Sequence, residues 1–128
     1  MSNDPIPADV RDFLTRYIES IAQLESLLLL HGRPGSEWTV AEVAGRLYVS
    51  PELAGALLAR LADDTLLVRQ ANPDVFVYGP GSMALAQAVD RVASTYRTHL
   101  VPITNLIHAK ASTRVHEFAN AFKLRRGE

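Results

Sequence analysis

The sequence predicts a mainly α-helical domain that carries one small β-hairpin. Apolar residues recur at intervals of three and four over most of the chain. In the middle third, two short helices with strong N-terminal capping signals stand a turn apart. Two strand-like segments around turn-forming residues follow them at once. At 128 residues the chain fits one domain, 1–128, and 48% hydrophobic residues suffice for a core without covalent staples.

Charge is distributed unevenly. The formal net charge is −1, but residues 1–96 set seven arginines against twelve carboxylates, whereas residues 97–128 set six basic residues against two acidic ones. A nucleic-acid binder usually carries its positive charge on the reading surface. Here it is displaced into the C-terminal segment, and attraction between that segment and the acidic body is one consequence. Cysteine is absent, which excludes disulfides, thiolate metal sites and thiol chemistry. The first ten residues have neither the basic nor the apolar region of a signal peptide. No apolar run approaches the ~20 residues that span a bilayer. A cytoplasmic protein without stable membrane insertion is the expectation.

Each element has its own signals. Pro7 and Asp9 open an N-terminal helix over residues 7–31, with Val10, Phe13, Leu14, Tyr17, Ile18, Ile21, Leu24 and Leu28 as its apolar stripe. Gly32, Pro34 and Gly35 end it. A short strand over residues 36–39 carries Trp38 as a core anchor. Thr39 then caps a helix whose Glu42 can reach back to the cap's own amide, a capping box, and Val40, Val43, Ala44 and Leu47 form its apolar face. Ser50 is a second N-cap, and Pro51 occupies the first helical position, where its missing donor costs nothing. Ala54, Leu57, Leu58 and Leu61 give this helix its buried side.

Residues 65–70 and 75–79 read as strands joined by Ala71-Asn72-Pro73-Asp74, which is turn chemistry. A hairpin placed directly after the second helix of such a pair forms a wing. Gly79-Pro80-Gly81 breaks the chain, and Ser82 caps a long helix over residues 82–111. Leu85, Val89, Val92, Tyr96, Leu100, Ile103 and Ile107 repeat along it like a coiled-coil seam. Pro102 kinks or divides that helix near residues 99–101. A separate short helix in the basic amphipathic tail, 112–128, ends the chain.

Two capped helices a turn apart make the helix-turn-helix plan, whose second helix can enter a DNA major groove. Over residues 36–79 the chain resembles the winged helix-turn-helix superfamily of bacterial transcription regulators. The resemblance rests on TVAEVA followed two residues later by Leu47, on VSPE in the turn (residues 49–52), on LLARL in the second helix (residues 57–61) and on the hairpin. It implies a winged helix-turn-helix flanked by long N- and C-terminal helices, DNA as partner, and dimerisation through the flanking helices. One departure is Asp63-Asp64-Thr65, where many relatives have a glycine before the first wing strand. The superfamily also contains members that serve only as protein-interaction modules.

The candidate DNA contacts follow from this placement. With Ala54, Leu57, Leu58 and Leu61 inward, the second helix turns Pro51, Glu52, Gly55, Ala56, Ala59 and Arg60 outward, and Leu53 falls between the faces. Base edges are read mainly by Arg, Lys, Asn and Gln, and this face offers only Arg60. Glu52 either accepts from a cytosine amino group or complements the positive end of the helix dipole. Arg46, Tyr48 and Ser50 are placed to reach phosphates. In the wing, Arg69, Gln70 and Asn72 can touch a minor groove, with Asp74 as an alternative partner for Arg69.

The seam of Leu85, Val89, Val92 and Tyr96 suits either a homodimer or packing against the first helix of the same chain. Tyr17, Trp38 and Tyr96 suit either a ligand pocket or plain core. In the tail, Val115, Phe118 and Phe122 form an apolar stripe beside Lys123, Arg125 and Arg126. That pattern suits a partner protein, docking onto the acidic body, or phosphate contacts. The four histidines, His31, His99, His108 and His116, match no metal motif, and GPGS at residues 79–82 lacks the lysine of a phosphate loop. No cofactor and no enzymatic activity are expected. Two functions remain: a dimeric winged-helix DNA-binding regulator, or a winged-helix adaptor that docks a partner through its basic tail.

Overall fold

The computed structural model describes residues 5–70 and 75–126, with side chains to Thr113. The chain runs α1 (Ala8–Tyr17), α2 (Ile21–His31), β1 (Trp38–Thr39), α3 (Val40–Leu47), α4 (Pro51–Asp63), β2 (Leu67–Arg69), β3 (Val75–Tyr78), α5 (Met83–Thr98) and α6 (Leu100–Arg126). Helices dominate, and the strands form one small antiparallel sheet in the order β1-β3-β2. Leu67 faces Tyr78 and Arg69 faces Phe76 across the hairpin, while Trp38 faces Phe76 from the other side. The hairpin is therefore widened to three strands by the short segment before α3.

The helix expected over residues 7–31 is two helices. Ile18 is extended, at φ −109° and ψ 124°, and Ser20 caps α2 by accepting from the Gln23 amide. The buried Gln23 side chain satisfies the broken backbone: its Oε1 accepts from Glu19 N–H at 2.7 Å and its Nε2 donates to the Tyr17 carbonyl at 3.1 Å. The break keeps the apolar stripe inward, because Val10, Phe13, Leu14, Ile18 and Leu24 all remain buried.

The C-terminal half differs in the opposite sense. α5 ends at Thr98, His99 leaves helical geometry at φ −128° and ψ 43°, and α6 starts at Leu100. Pro102 thus lies in the first turn of α6, where a missing donor is tolerated. From there the helix runs unbroken to Arg126, so the separate tail helix after residue 112 is absent. Neither Gly nor Pro occurs between Pro102 and Gly127, and Ala109-Lys110-Ala111 are good helix formers.

One core holds these elements together. Leu24, Leu27 and Leu30 of α2, Leu58 and Leu61 of α4, Leu66, Phe76, Val89, Val92 and Ile103 are all fully buried in it. Trp38 joins as the expected anchor at 6% exposure. The seam expected on the long helix is thus largely enclosed within its own chain: Val89 and Val92 are buried, and Leu85 and Tyr96 are half-buried against the same core. Asp9 of α1 pairs with Arg91 of α5. Lys110 of α6 donates to the carbonyls of Leu14 at 3.4 Å and Ile18 at 2.9 Å, and to that of Thr15, so it caps the C-terminal end of α1. No helix among the described residues is long and apolar enough to cross a membrane.

Candidate nucleic-acid interface

The helix pair is built by its caps. Thr39 Oγ1 accepts from the Glu42 amide at 3.1 Å, and Glu42 Oε1 accepts from the Thr39 amide at 2.9 Å, so the expected capping box is complete. The Thr39 amide, and then the Thr39 hydroxyl donating to the same Oε1 at 3.1 Å, hold the Glu42 carboxyl below the usual carboxylate range. α3 ends at Tyr48, which adopts the left-handed conformation at φ 59° and ψ 42° so that Val49 N–H reaches back to the Ala44 carbonyl at 3.1 Å. Ser50 then caps α4, accepting from the Leu53 amide at 3.1 Å, with Pro51 in the first turn.

α4 packs against α3, α2 and β2, with Ala54, Leu58 and Leu61 buried. Gly55 faces α3 closely, since a Cβ there would lie 3.7 Å from Val40 Cγ1. The helix stops in a Schellman motif: Leu66 N–H bonds the Leu61 carbonyl and Thr65 N–H bonds the Ala62 carbonyl, both at 3.0 Å. Thr65 takes the left-handed slot, φ 62°, that a glycine would occupy with less strain. The missing glycine before the wing therefore changes the cost of the turn and leaves its geometry intact.

Pro51, Glu52, Leu53, Ala56 and Arg60 are exposed on the outer side of α4, while Gly55, Leu57 and Ala59 are half-buried. Leu53, undecided from spacing, is 44% exposed and belongs to the outer face. Arg60 is partly engaged, because its Nε donates to Asp64 Oδ2 at 3.3 Å, one turn along. Arg46 is exposed and lies over the Trp38 ring, 5.5 Å from its centroid. Tyr48 is 95% exposed. Ser50 is exposed, with its hydroxyl oxygen already accepting the capping bond.

In the wing, Arg69 is exposed and its guanidinium lies 5.1 Å from the Phe76 centroid, its cross-strand neighbour. Gln70 is half-buried and its amide closes the hairpin onto the Val75 carbonyl at 2.9 Å. Asn72 and Asp74 lie outside the described residues. Val68, which spacing did not single out, is 48% exposed on the same hairpin. The structure thus brings Arg46, Tyr48, Ser50, Glu52, Ala56 and Arg60 onto the exposed parts of two packed helices, with Arg69 on the adjoining strand. The charge there is balanced: residues 33–69 hold four arginines and five carboxylates.

The partner candidates fare differently. Among the described side chains of α5 and α6, the large apolar ones left exposed are those of Met83, Leu100 and Val101. The side chains of Val115, Phe118, Phe122, Lys123, Arg125 and Arg126 lie outside the described ones. Tyr17 stacks at a tilt on Phe13, and the Tyr96 hydroxyl donates to Glu25 Oε2 at 3.3 Å. His31 is not a free surface group: its Nε2 lies 2.8 Å from Asp90 Oδ1, and its ring meets Tyr78 edge-on. Among the described residues, no three His, Asp or Glu side chains converge on a metal-sized site.

No known family profile and no curated protein sequence matches this chain. Solved structures do. The chain is similar to a MarR family transcriptional regulator from Streptomyces coelicolor, at a TM-score of 0.56 and 20% identity over 93% of this chain and 81% of that one. A MarR family protein from Mycobacterium tuberculosis aligns at 0.53 and 17% identity, covering 94% and 83% of the two chains. A transcriptional regulator from Thermotoga maritima aligns at 0.52 and 17%, covering 94% and 86%. The fold is a winged helix-turn-helix. α3 and α4 are its helix pair, β2 and β3 its wing, and the flanking α1, α2, α5 and α6 are part of the likeness, because the alignments extend over nearly the whole chain.

Proposed function

We propose that this chain is a winged-helix DNA-binding transcription regulator that acts as a homodimer. The observation that carries the proposal is the uncovered outer face of α4, with the exposed Arg69 of the wing beside it. The structures that share the fold are named as transcription regulators, which fits this reading. α4 would enter the major groove, Arg60 and Glu52 would meet base edges, and Arg46, Tyr48, Ser50 and Arg69 would hold the backbone. So few cations per chain imply that useful affinity needs two chains. Among the described side chains of α5 and α6, the exposed Met83, Leu100 and Val101 would help to join them.

A fluorescence-anisotropy titration against genomic fragments at low salt tests the proposal. The expected result is saturable binding that weakens steeply as salt rises, with a log–log slope of about −0.9 per neutralised phosphate. Absence of binding at micromolar protein, or binding indifferent to salt, refutes it. The balanced charge of residues 33–69 favours a second reading, an adaptor that docks a partner protein through the basic segment 112–128. Under that reading the titration fails, and deletion of 112–128 abolishes partner capture while circular dichroism of the rest is unchanged.

A further inference from the structure

The outer face of α4 is poor in the groups that read bases by hydrogen bonding. Leu53, in the first turn, is 44% exposed. Ala56, three residues on and on the same side, is exposed as well. Neither side chain can donate or accept a hydrogen bond. The Ser50 hydroxyl oxygen accepts from the Leu53 amide, which leaves its O–H for the phosphate backbone, and Arg60 lies two turns away beside Asp64. The major groove also carries one apolar mark, the C5 methyl group of thymine. We infer that α4 reads thymine methyl groups through Leu53 and Ala56, with Glu52 accepting from a neighbouring cytosine amino group. This rests on the DNA-binding reading above and names the sequence class that reading would select: pyrimidine-rich half-sites with thymine at the contacted positions.

Position, area and charge each favour a base edge over a protein partner. The first turn of the second helix is the part of a helix-turn-helix that reaches base edges, and Leu53 is the large apolar side chain exposed there. The exposed neighbours Pro51 and Ala56 carry short side chains, which let Leu53 come close enough to touch a methyl group. The exposed apolar surface is one leucine and one alanine between Glu52 and Arg60. A stable protein interface buries roughly 1,600 Å² in all, far more than this patch offers, whereas one methyl group needs one side chain. Exposed cations, Arg46 of α3 and Arg69 of β2, stand on two of the elements that pack against α4. An apolar centre with cations on neighbouring elements suits a groove whose floor carries methyl groups and whose walls are phosphates.

The test uses the full chain and a duplex enriched from a random-sequence pool, compared with the same duplex in which deoxyuridine replaces thymidine. That replacement removes only the methyl groups. Enrichment of thymine and a loss of about fourfold in affinity per contacted methyl group are expected on uracil DNA. Leu53→Ala should bring the thymine-to-uracil ratio toward one; the side chain is exposed, so the fold is kept. Equal affinity of the unaltered protein for both duplexes overturns methyl reading while leaving DNA binding in place. A ratio unchanged in Leu53→Ala overturns the role of Leu53. No binding to any enriched duplex overturns the regulator reading and this inference together.

Discussion

Tyr48 holds a backbone conformation that costs an L-residue about 1–2 kcal/mol, and its ring is 95% exposed. Glycine would take the same slot without that strain. The C-cap bond from Val49 N–H to the Ala44 carbonyl offsets part of that cost within the chain, and under the proposed function a phosphate beside the turn gives the exposed ring a partner. Tyr48→Gly should raise stability by about 1 kcal/mol in urea denaturation and weaken DNA binding, so the two readouts move in opposite directions. A less stable glycine variant would contradict this account. Tyr78 presents the converse case. Its hydroxyl is buried without a partner among the described residues, and burial, then the charge of Asp90, push its pKa up to about 12. A raised folded-state value means the contribution is fully present below the unfolded value near 10 and is lost as pH climbs towards 12. Tyr78→Phe should be neutral or slightly stabilising at pH 7 and should flatten the fall in stability between pH 10 and 12, followed by chemical denaturation across that range.

At the scale of elements, the hinge between α1 and α2 depends on one buried amide. Gln23→Leu preserves volume but strands the Glu19 amide and the Tyr17 carbonyl, so a loss of about 2 kcal/mol in thermal or urea unfolding is expected. A loss below 0.5 kcal/mol would show that water satisfies the hinge as well as Gln23 does. That hinge was readable in the sequence: Ser20 and Gln23 have the spacing of a capping box, although the glutamine reaches one residue further back. Continuous apolar periodicity masked it, because a break that keeps every buried position inward leaves no trace in the pattern. Caps and turns around α3 and α4 were legible because their chemistry is local. The length of α6 was not, since basic residues and a short apolar stripe suggested a separate segment where no helix-breaking residue stood. Outer-face composition was legible in part: Pro51, Glu52, Ala56 and Arg60 are exposed as expected, whereas Gly55, Ala59 and Leu57 are half-buried and the side of Leu53 depends on how α4 rolls against α3.

For the whole molecule, the decisive ambiguity was whether the long-helix seam meets a second chain or its own. Periodicity is the same in both cases, and only the three-dimensional placement of α1 decides that Val89 and Val92 are covered from within. Lys110 reinforces that choice. It caps α1 from α6, pairs with Glu19 at 3.2 Å, and its side chain is only 15% exposed. Lys110→Met keeps the length and removes the charge, and should lower stability by about 2 kcal/mol through the loss of charge-assisted bonds. If instead the variant unfolds at the same urea concentration as the parent, the lysine contributes nothing net to docking α6 on α1.

The bonds at the base of the wing have a further consequence. Gly81 N–H donates to the Thr65 carbonyl at 2.8 Å and Gly79 N–H to that of Leu66 at 3.3 Å. The chain leaving α4 and the chain approaching α5 are thus tied at a neck. A Cβ at Gly79 would come within 2.8 Å of Val68 Cγ2, so a larger residue there would force the half-exposed Val68 side chain to move. Everything between Thr65 and Gly81 is a closed loop hung on that neck. Its far end can gain or lose residues between Gln70 and Val75 for a small change in closure entropy, while the starting point of α5 relative to α4 stays where it is. Wing reach and helix placement are consequently separate variables in this chain, free to diverge independently.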